Sequence, residues 1–153
     1  MQITYIQPSP EVLDDLAGRL CADDLAEMKA SCGKPPRDVL RESVECSMSA
    51  TVACWGGQPQ AVFGVADWQP DPTIGVAWML GTDAIKTNAR EFLRASRDWI
   101  EQWSGIYRAL FNLVSLHHVR AQRWLMWLGF EPIKHHDVRG HSFIEFARLS
   151  YRD

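Results

Sequence analysis

Histidine is the residue type in this chain best suited to proton transfer or metal binding near neutral pH. Five occur, as the pairs His117-His118 and His135-His136 and as His141. Neighbouring strand residues point to opposite faces, so a pair gives one site at most one ligand, and no carboxylate or thiolate stands at supporting spacing. We therefore expect no metal site. His118 is either a polar helix-start residue or a group that hydrogen-bonds and exchanges protons.

Cysteine and serine form no recognisable nucleophile motif. The four cysteines contain no Cys-x-x-Cys pair and occur in otherwise apolar patterns, which favours reduced core thiols over disulfides or zinc ligands. The serines lack the Gly-x-Ser-x-Gly turn of a hydrolase, so a catalytic triad has no anchor. The cysteines are Cys21, Cys32, Cys46 and Cys54.

Tryptophan is abundant, with seven residues in a small chain. Trp124 and Trp127 lie three apart on one helix face, beside a stripe formed by Leu125 and Leu128. In one interpretation, one stripe packs on a sheet and the other on a neighbouring helix. In the other, the tryptophans form a protein-binding face, because this residue is enriched at binding hot spots.

Composition predicts one domain spanning residues 1–153. With 153 residues and 46% hydrophobic content, the chain can bury one core, and a second domain would be cramped. No run of about 18 apolar residues predicts a membrane span, and the N-terminal residues lack the pattern of a secretory signal peptide. We therefore expect a soluble protein made in a cytoplasm.

Charge is distributed unevenly along the chain. Residues 1–85 hold 5 Lys/Arg and 12 Asp/Glu, whereas residues 86–153 hold 11 and 7. The basic half could contact the phosphates of a nucleotide cofactor or of nucleic acid, or it could be an ordinary solvated surface. Basic residues are not clustered as in a dedicated nucleic-acid-binding module, so we expect no such function.

Hydrophobic periodicity and turn residues predict alternating strands and helices. A strand at 3–6 is followed by helices at about 10–20, 22–31 and 37–46. A hairpin of strands 50–55 and 60–67, joined by residues 56–59, leads to a strand at 73–80 and a long helix at about 83–102. A strand at 109–116 precedes the helix that begins near His118 and stops at Gly129, and a strand pair ending at 141–149 closes the chain.

This order, with a late helix ending in Gly129-Phe130, resembles the GCN5-related N-acetyltransferase (GNAT) fold, also called the acyl-CoA N-acyltransferase fold. The resemblance implies an α+β domain with a mixed, mostly antiparallel central sheet flanked by helices. In the family, a loop of the form Arg/Gln-x-x-Gly-x-Gly/Ala presents backbone amides to the pyrophosphate of acetyl-CoA.

Alignment with that loop places it at residues 84–89, where most of the pattern is lost. Ala84 replaces the arginine, Ile85 and Thr87 replace the two glycines, and only the small Ala89 is retained. Two β-branched side chains thus stand where the phosphates would approach. Thr82 or Asp83 could cap the following helix and Lys86 could supply a charge, so weak anion binding remains an alternative.

The late helix also departs from the family at its chemical positions. The family pattern is Asn-x-x-Ala-x-x-aromatic-Tyr-x-x-x-Gly-Phe, in which the tyrosine often protonates the leaving thiolate. Here His118 replaces the asparagine and Leu125 replaces the tyrosine. Leucine cannot donate a proton, although some family members act without the tyrosine.

These comparisons leave no assigned catalytic residue. We expect no bound cofactor, with acetyl-CoA as the alternative. If acetyl-CoA binds, the resemblance implies as its contacts Met79, Leu80, Thr82, Lys86, Thr87, Asn88, Ala89 and His118.

Residues at about 60–147 are most similar to the small GNAT-like internal virion or assembly proteins of short-tailed bacteriophages. The similar segments include Ala77-Trp-Met-Leu-Gly-Thr-Asp-Ala84 and Arg123-Trp-Leu-Met-Trp-Leu-Gly-Phe130. This resemblance implies a phage-encoded, non-catalytic protein that binds a phage or host protein in the host cytoplasm, or in the virion if it is packaged. The alternative is an acetyl-CoA-dependent N-acetyltransferase that acts on an unknown amine.

Overall fold

A computed structural model describes residues 2–150, apart from the side chain of Ala89. Within these residues one sheet of seven strands lies between two helical layers, in the order β1-β2-β3-β4-β5-β7-β6. The strands are β1 (Thr4–Ile6), β2 (Ser49–Trp55), β3 (Gln58–Trp68), β4 (Asp71–Gly81), β5 (Ala109–Ser115), β6 (Glu131–Val138) and β7 (His141–Leu149). The helices are α1 (Pro10–Ala17), α2 (Ala22–Ser31), α3 (Pro36–Cys46), α4 (Ala84–Thr87), α5 (Ala89–Ser104) and α6 (Val119–Trp127).

Helices α1 to α3 cover one face of the sheet. The Ser9 hydroxyl accepts a hydrogen bond from the Val12 amide at 3.4 Å, and Pro10 occupies the first helical position, where no amide donor is needed. Leu16 and Leu40 of these helices are fully buried against Val52 and Val62 of the sheet. The three predicted helices are confirmed to within a few residues at each end.

The β2–β3 hairpin is tighter than the sequence pattern predicts. Gly56 and Gly57 have φ angles of 63° and 80°, as a two-residue turn with left-handed central residues requires. Strand β3 therefore begins at Gln58, and Pro59 pairs with Cys54 instead of lying in the turn. The predicted four-residue connection is wrong because the two glycines suffice.

Strands β4 and β5 separate after a short parallel contact. They pair only from Ile74–Ala109 to Val76–Phe111. Beyond that, β4 continues to Gly81 paired with β3, and β5 continues to Ser115 paired with β7. The carboxyl ends of two adjacent strands therefore diverge, and a gap opens between them.

Helices α4 to α6 cover the other face. The long helix predicted at 83–102 is two helices, because the chain leaves helical geometry at Asn88, with φ −116° and ψ 25°. The Asn88 side-chain oxygen accepts hydrogen bonds from Trp55 Nε1 at 3.1 Å and from Thr87 Oγ1 at 3.2 Å. These side-chain bonds accompany the interruption, and periodicity alone does not reveal them.

Helix α6 packs as the first interpretation of its two stripes expects. Leu125 and Leu128 are buried in the sheet-facing core. Trp124 Nε1 donates to Ser96 Oγ of α5 at 3.2 Å, and the Arg97 guanidinium lies 3.9 Å from the centroid of the Trp127 ring. The tryptophan stripe thus contacts the neighbouring helix, although Trp127 keeps 43% of its surface exposed.

The end of α6 follows its sequence signal. Gly129 has φ 93°, and the Phe130 amide donates to the Leu125 carbonyl at 2.9 Å, which satisfies a helix-terminal acceptor.

The four cysteines are free, as expected, but the prediction of core thiols is wrong for Cys32 and Cys46, which are exposed. No helix within residues 2–150 has the length and apolar character needed to cross a membrane.

Candidate functional site

A cavity of about 580 Å³ opens where β4 and β5 diverge. Met79 and Thr82 line it from the end of β4, and Phe92 and Trp124 line it from α5 and α6. The N-terminal half of α6 and the start of α2 complete the wall. The cofactor candidates that follow the strand predicted at 73–80 can therefore be compared with the wall of this cavity.

The segment aligned with the family's phosphate loop is a helical turn with internally bonded amides. The Ala84 amide donates to Thr82 Oγ1 at 3.2 Å, and the Ile85 amide donates to the Thr82 carbonyl at 3.3 Å. The Lys86 amide donates to the Asp83 carbonyl at 3.0 Å. Since these donors are occupied, they are not free for phosphate oxygens in this arrangement.

The Ile85 side chain lies directly against Gly81. A Cβ atom built on Gly81 would come within 2.1 Å of Ile85 Cδ1, so this glycine makes room for the isoleucine. An apolar side chain therefore occupies the space beside the end of β4.

The structure brings together four of the eight cofactor candidates. Met79, Thr82, Lys86 and His118 line the cavity. The Thr82 hydroxyl already donates to Gln60 Oε1 at 2.7 Å, and Lys86 Nζ lies 3.3 Å from the Asp83 carboxylate.

The other four candidates are engaged elsewhere or fall outside the description. Leu80 packs with the α1–α3 core. Thr87 Oγ1 donates to the Ala84 carbonyl at 3.0 Å, and the Asn88 side-chain oxygen accepts a hydrogen bond from Trp55 Nε1 at 3.1 Å. Ala89 begins α5, and its side chain lies outside the described residues.

His118 is buried and uses both ring nitrogens. Its Nδ1 accepts from the Ala121 amide at 3.4 Å, which caps α6 and assigns the proton of the neutral ring to Nε2. Nε2 then donates to Asp24 Oδ1 at 2.9 Å. The second oxygen of Asp24 accepts from the Gly81 amide at 2.9 Å, so this buried carboxylate joins the end of β4 to the start of α6.

Glu27, one helical turn after Asp24, connects α2 to β5. Its Oε2 accepts from the Ser115 amide at the end of β5 at 3.1 Å. Asp24, Glu27 and His118 are called the α2 cluster below. Sequence reasoning missed both carboxylates, because their partners Gly81, Ser115 and His118 are distant along the chain.

Burial and neighbouring charges shift two pKa values in the α2 cluster. Burial raises the pKa of Glu27, and the Ser115 amide and His118 only partly oppose it. For His118, burial lowers the pKa, but the hydrogen bond and charge of Asp24, with the charges of Glu27 and Asp23, outweigh it and raise the pKa overall.

A second cavity, of about 630 Å³, lies on the other side of the α2 cluster. Glu27 and Ser115 line it, together with residues of α2 and of the β6–β7 turn. The two cavities share Asp23, His117 and His118 in their walls. The α2 cluster therefore lies between two spaces that a pair of ligands could enter separately.

Two other side chains near the first cavity offer no acid or nucleophile. Leu125, at the family's tyrosine position, is buried in the core. Burial and the Asp24 carboxylate raise the pKa of Cys21 to about 11, so its thiol stays protonated at neutral pH. Among the described side chains, including those of the α2 cluster, no group of three or more His, Cys, Asp or Glu residues is arranged so that it could hold a metal ion.

Cationic side chains also line the first cavity. Lys86 extends from α4, and Arg120 and Arg123 extend from the exposed face of α6. Sequence reasoning missed the two arginines, because nothing in the local pattern of α6 distinguishes them from solvated surface residues.

No protein-family model and no curated protein matches the sequence. Solved structures do match. AAC(6')-Ib in complex with ribostamycin and coenzyme A has a TM-score of 0.72 at 13% identity, covering 97% of this chain and 94% of that chain. A Bacillus subtilis acetyltransferase in complex with CoA has a TM-score of 0.67 at 12% identity, with 97% of each chain covered.

A third match is an acetyltransferase of the GNAT family from Streptococcus pneumoniae, with a TM-score of 0.62 at 13% identity over 97% of this chain and 99% of that chain. Likeness at such low identity establishes the fold and leaves the activity open. These findings give no support to the expected relation to phage virion proteins. The chain has the GNAT acetyltransferase fold, with a mixed, mostly antiparallel sheet flanked by helices.

Proposed function

We propose that this protein is an acetyl-CoA-dependent N-acetyltransferase that acts on an amine. The observation that carries the proposal is the arrangement at the β4–β5 gap. A cavity with cations in its wall shares part of that wall with a second cavity. The buried Asp24 carboxylate lines the first cavity and the half-buried Glu27 carboxylate lines the second. Cations can bind an anionic donor and carboxylates can bind a cationic amine, so this pairing of charges suits transfer between the two.

The first cavity suits the donor in size and lining. Its volume lies within the range of about 300–1,000 Å³ that is typical of ligand sites. Met79, Phe92 and Trp124 provide apolar surface for a pantetheine arm. Lys86, with the two arginines of α6, supplies charge for phosphates in place of the internally bonded amides of α4.

Bound acetyl-CoA would supply a thioester carbonyl that an amine can attack. An amine arrives as an ammonium ion and must lose a proton before attack. Glu27 is the base we assign, because burial raises its pKa and its carboxylate lines the second cavity. Leu125 gives the leaving thiolate no proton, so the reaction depends on proximity and on the nucleophilicity of the amine.

The second candidate function is a non-catalytic one. In this alternative the chain is a phage-encoded virion assembly or internal virion protein that binds a phage or host protein. The observation in its favour is the loss of both chemical features of the family, since the α4 amides are bonded internally and Leu125 replaces the tyrosine.

A transfer assay separates the two candidates. The full chain is incubated with acetyl-CoA and a panel of primary amines, and acetylated products are counted by mass spectrometry. We expect transfer to at least one amine. We also expect Glu27→Gln, which keeps an oxygen acceptor for the Ser115 amide, to lower kcat by about 100-fold or more.

The matched control is Glu42→Gln, an exposed residue of α3 that pairs with Lys34 on the same side of the sheet. This control should retain full activity. Absence of transfer to every amine would favour the non-catalytic candidate. Equal activity in the Glu27→Gln and Glu42→Gln variants would remove Glu27 from the mechanism.

A further inference from the structure

The second cavity combines anionic and cationic side chains. Asp23 and Glu27 of α2 line it, and Lys29 lines it from farther along that helix. Arg139, from the β6–β7 turn, contributes a guanidinium. A ligand with only one sign of charge would leave one group of these side chains without a counterpart.

Arg139 holds an unusual backbone conformation. Its φ angle is 53°, and it is the one non-glycine residue with positive φ within residues 2–150. Gly140 follows with φ 80°, so the pair forms a hairpin turn in which Asn, Asp or Gly normally occupies the first position. An arginine there costs about 1 kcal/mol or more relative to glycine, and such strain is often found at functional sites.

The guanidinium of Arg139 extends toward the end of α2. A Cβ atom built on Gly33 would lie 2.9 Å from Arg139 Nη1, so the guanidinium lies directly against this glycine. Among the residues described, no carboxylate forms an ion pair with this guanidinium. Its donors can therefore serve a ligand in the second cavity.

We infer that the acceptor is a zwitterionic, amino-acid-like amine whose anionic group binds Arg139 while its ammonium group faces Glu27 and Asp23. A planar guanidinium matches a carboxylate bidentately, which explains an arginine better than a lysine at this position. The inference rests on the proposed function, because it assigns the second cavity to the acceptor. It narrows the acceptor from any amine to amines that carry a carboxylate.

The test compares free L-amino acids with their amides, which differ only in the carboxylate. Binding is measured by calorimetry without acetyl-CoA, and acetyl transfer is measured separately by mass spectrometry. We expect the acids to bind about tenfold or more tightly than the amides. Arg139→Gln should abolish this preference, and Arg139→Lys should retain part of it.

Each outcome separates this inference from the proposed function. Tight binding of acids without acetyl transfer would reject the proposed function and uphold the zwitterion site. Transfer with equal or better use of the amides would overturn the zwitterion site and uphold the transferase. Failure of both acids and amides to bind would also overturn the zwitterion site. A Tm of Arg139→Gln equal to that of Arg139→Lys shows that loss of binding in Arg139→Gln comes from the lost positive charge and not from unfolding.

Discussion

His118 shows how a residue at a family's functional position can become part of the fold. Its Nδ1 caps α6 and its Nε2 donates to the buried Asp24. Both ring nitrogens are therefore engaged in contacts that hold α6 and α2 in place. Proton transfer is better assigned to Glu27, whose carboxylate lines the second cavity.

The raised pKa values of His118 and Glu27 predict how stability depends on pH. A group with a higher pKa in the folded state binds more protons there, so its stabilising contribution is complete below its unfolded pKa and is lost as pH rises. The unfolded values are 6.5 for His118 and 4.5 for Glu27. Both groups should therefore lower the free energy of unfolding as pH increases from about 5 to 8.

Urea unfolding at pH 5 and pH 8 measures this effect. His118→Asn is the matched variant, since asparagine can cap α6 without titrating. Its free energy of unfolding should fall less between the two pH values than that of the native chain. An equal or larger fall in the variant would show that His118 does not bind its proton more tightly in the folded state.

Asp24 and Glu27 could not have been predicted as site residues. Asp24 is 57 residues from Gly81 and 94 residues from His118 along the chain. Glu27 is 88 residues from Ser115. Spacing within α2 carries no record of these contacts. The positions of Lys86 and His118 were predictable, because they follow directly from the order of strands and helices.

Helix α4 replaces a phosphate-binding loop with a closed turn. Its Ile85 side chain lies against Gly81, and its amides bond to Thr82 and Asp83. Most elements were predictable because apolar periodicity and capping residues agree, as they do along α1 and α6. The break at Asn88 was not, because it depends on a side-chain bond to the distant Trp55.

Restoring glycine should reopen this segment. In the double variant Ile85→Gly/Thr87→Gly, glycine weakens the helical turn and frees amides for phosphate. We expect acetyl-CoA to bind about tenfold more tightly, at a stability cost of about 1 kcal/mol per glycine. The comparison is Ile85→Ala/Thr87→Ala, which removes the same side chains but retains helical geometry, with both affinities measured by calorimetry.

A similar gain in both double variants would mean that side-chain bulk, and not amide availability, limits binding. No gain in either would show that the segment does not contact the cofactor.

The uneven charge of the chain has a structural counterpart in the whole molecule. The acidic first half supplies the carboxylates of the α2 cluster, and the basic second half supplies the cations of the first cavity. Folding brings these halves together at the β4–β5 gap. The uneven distribution of charge was visible in the sequence, but the positions of these charges relative to the two cavities depend on where α2 packs.

Acetyl-CoA titration into the full chain by calorimetry tests the central claim most directly. We expect a Kd below about 100 μM, equivalent to a binding free energy of about −5.5 kcal/mol. Arg120→Gln/Arg123→Gln should weaken binding by about tenfold or more. The control Lys34→Gln/Arg37→Gln removes two exposed charges from the opposite helical layer and should leave the Kd unchanged. Absence of heat at millimolar acetyl-CoA, or equal loss in both double variants, would contradict a cofactor site at the β4–β5 gap.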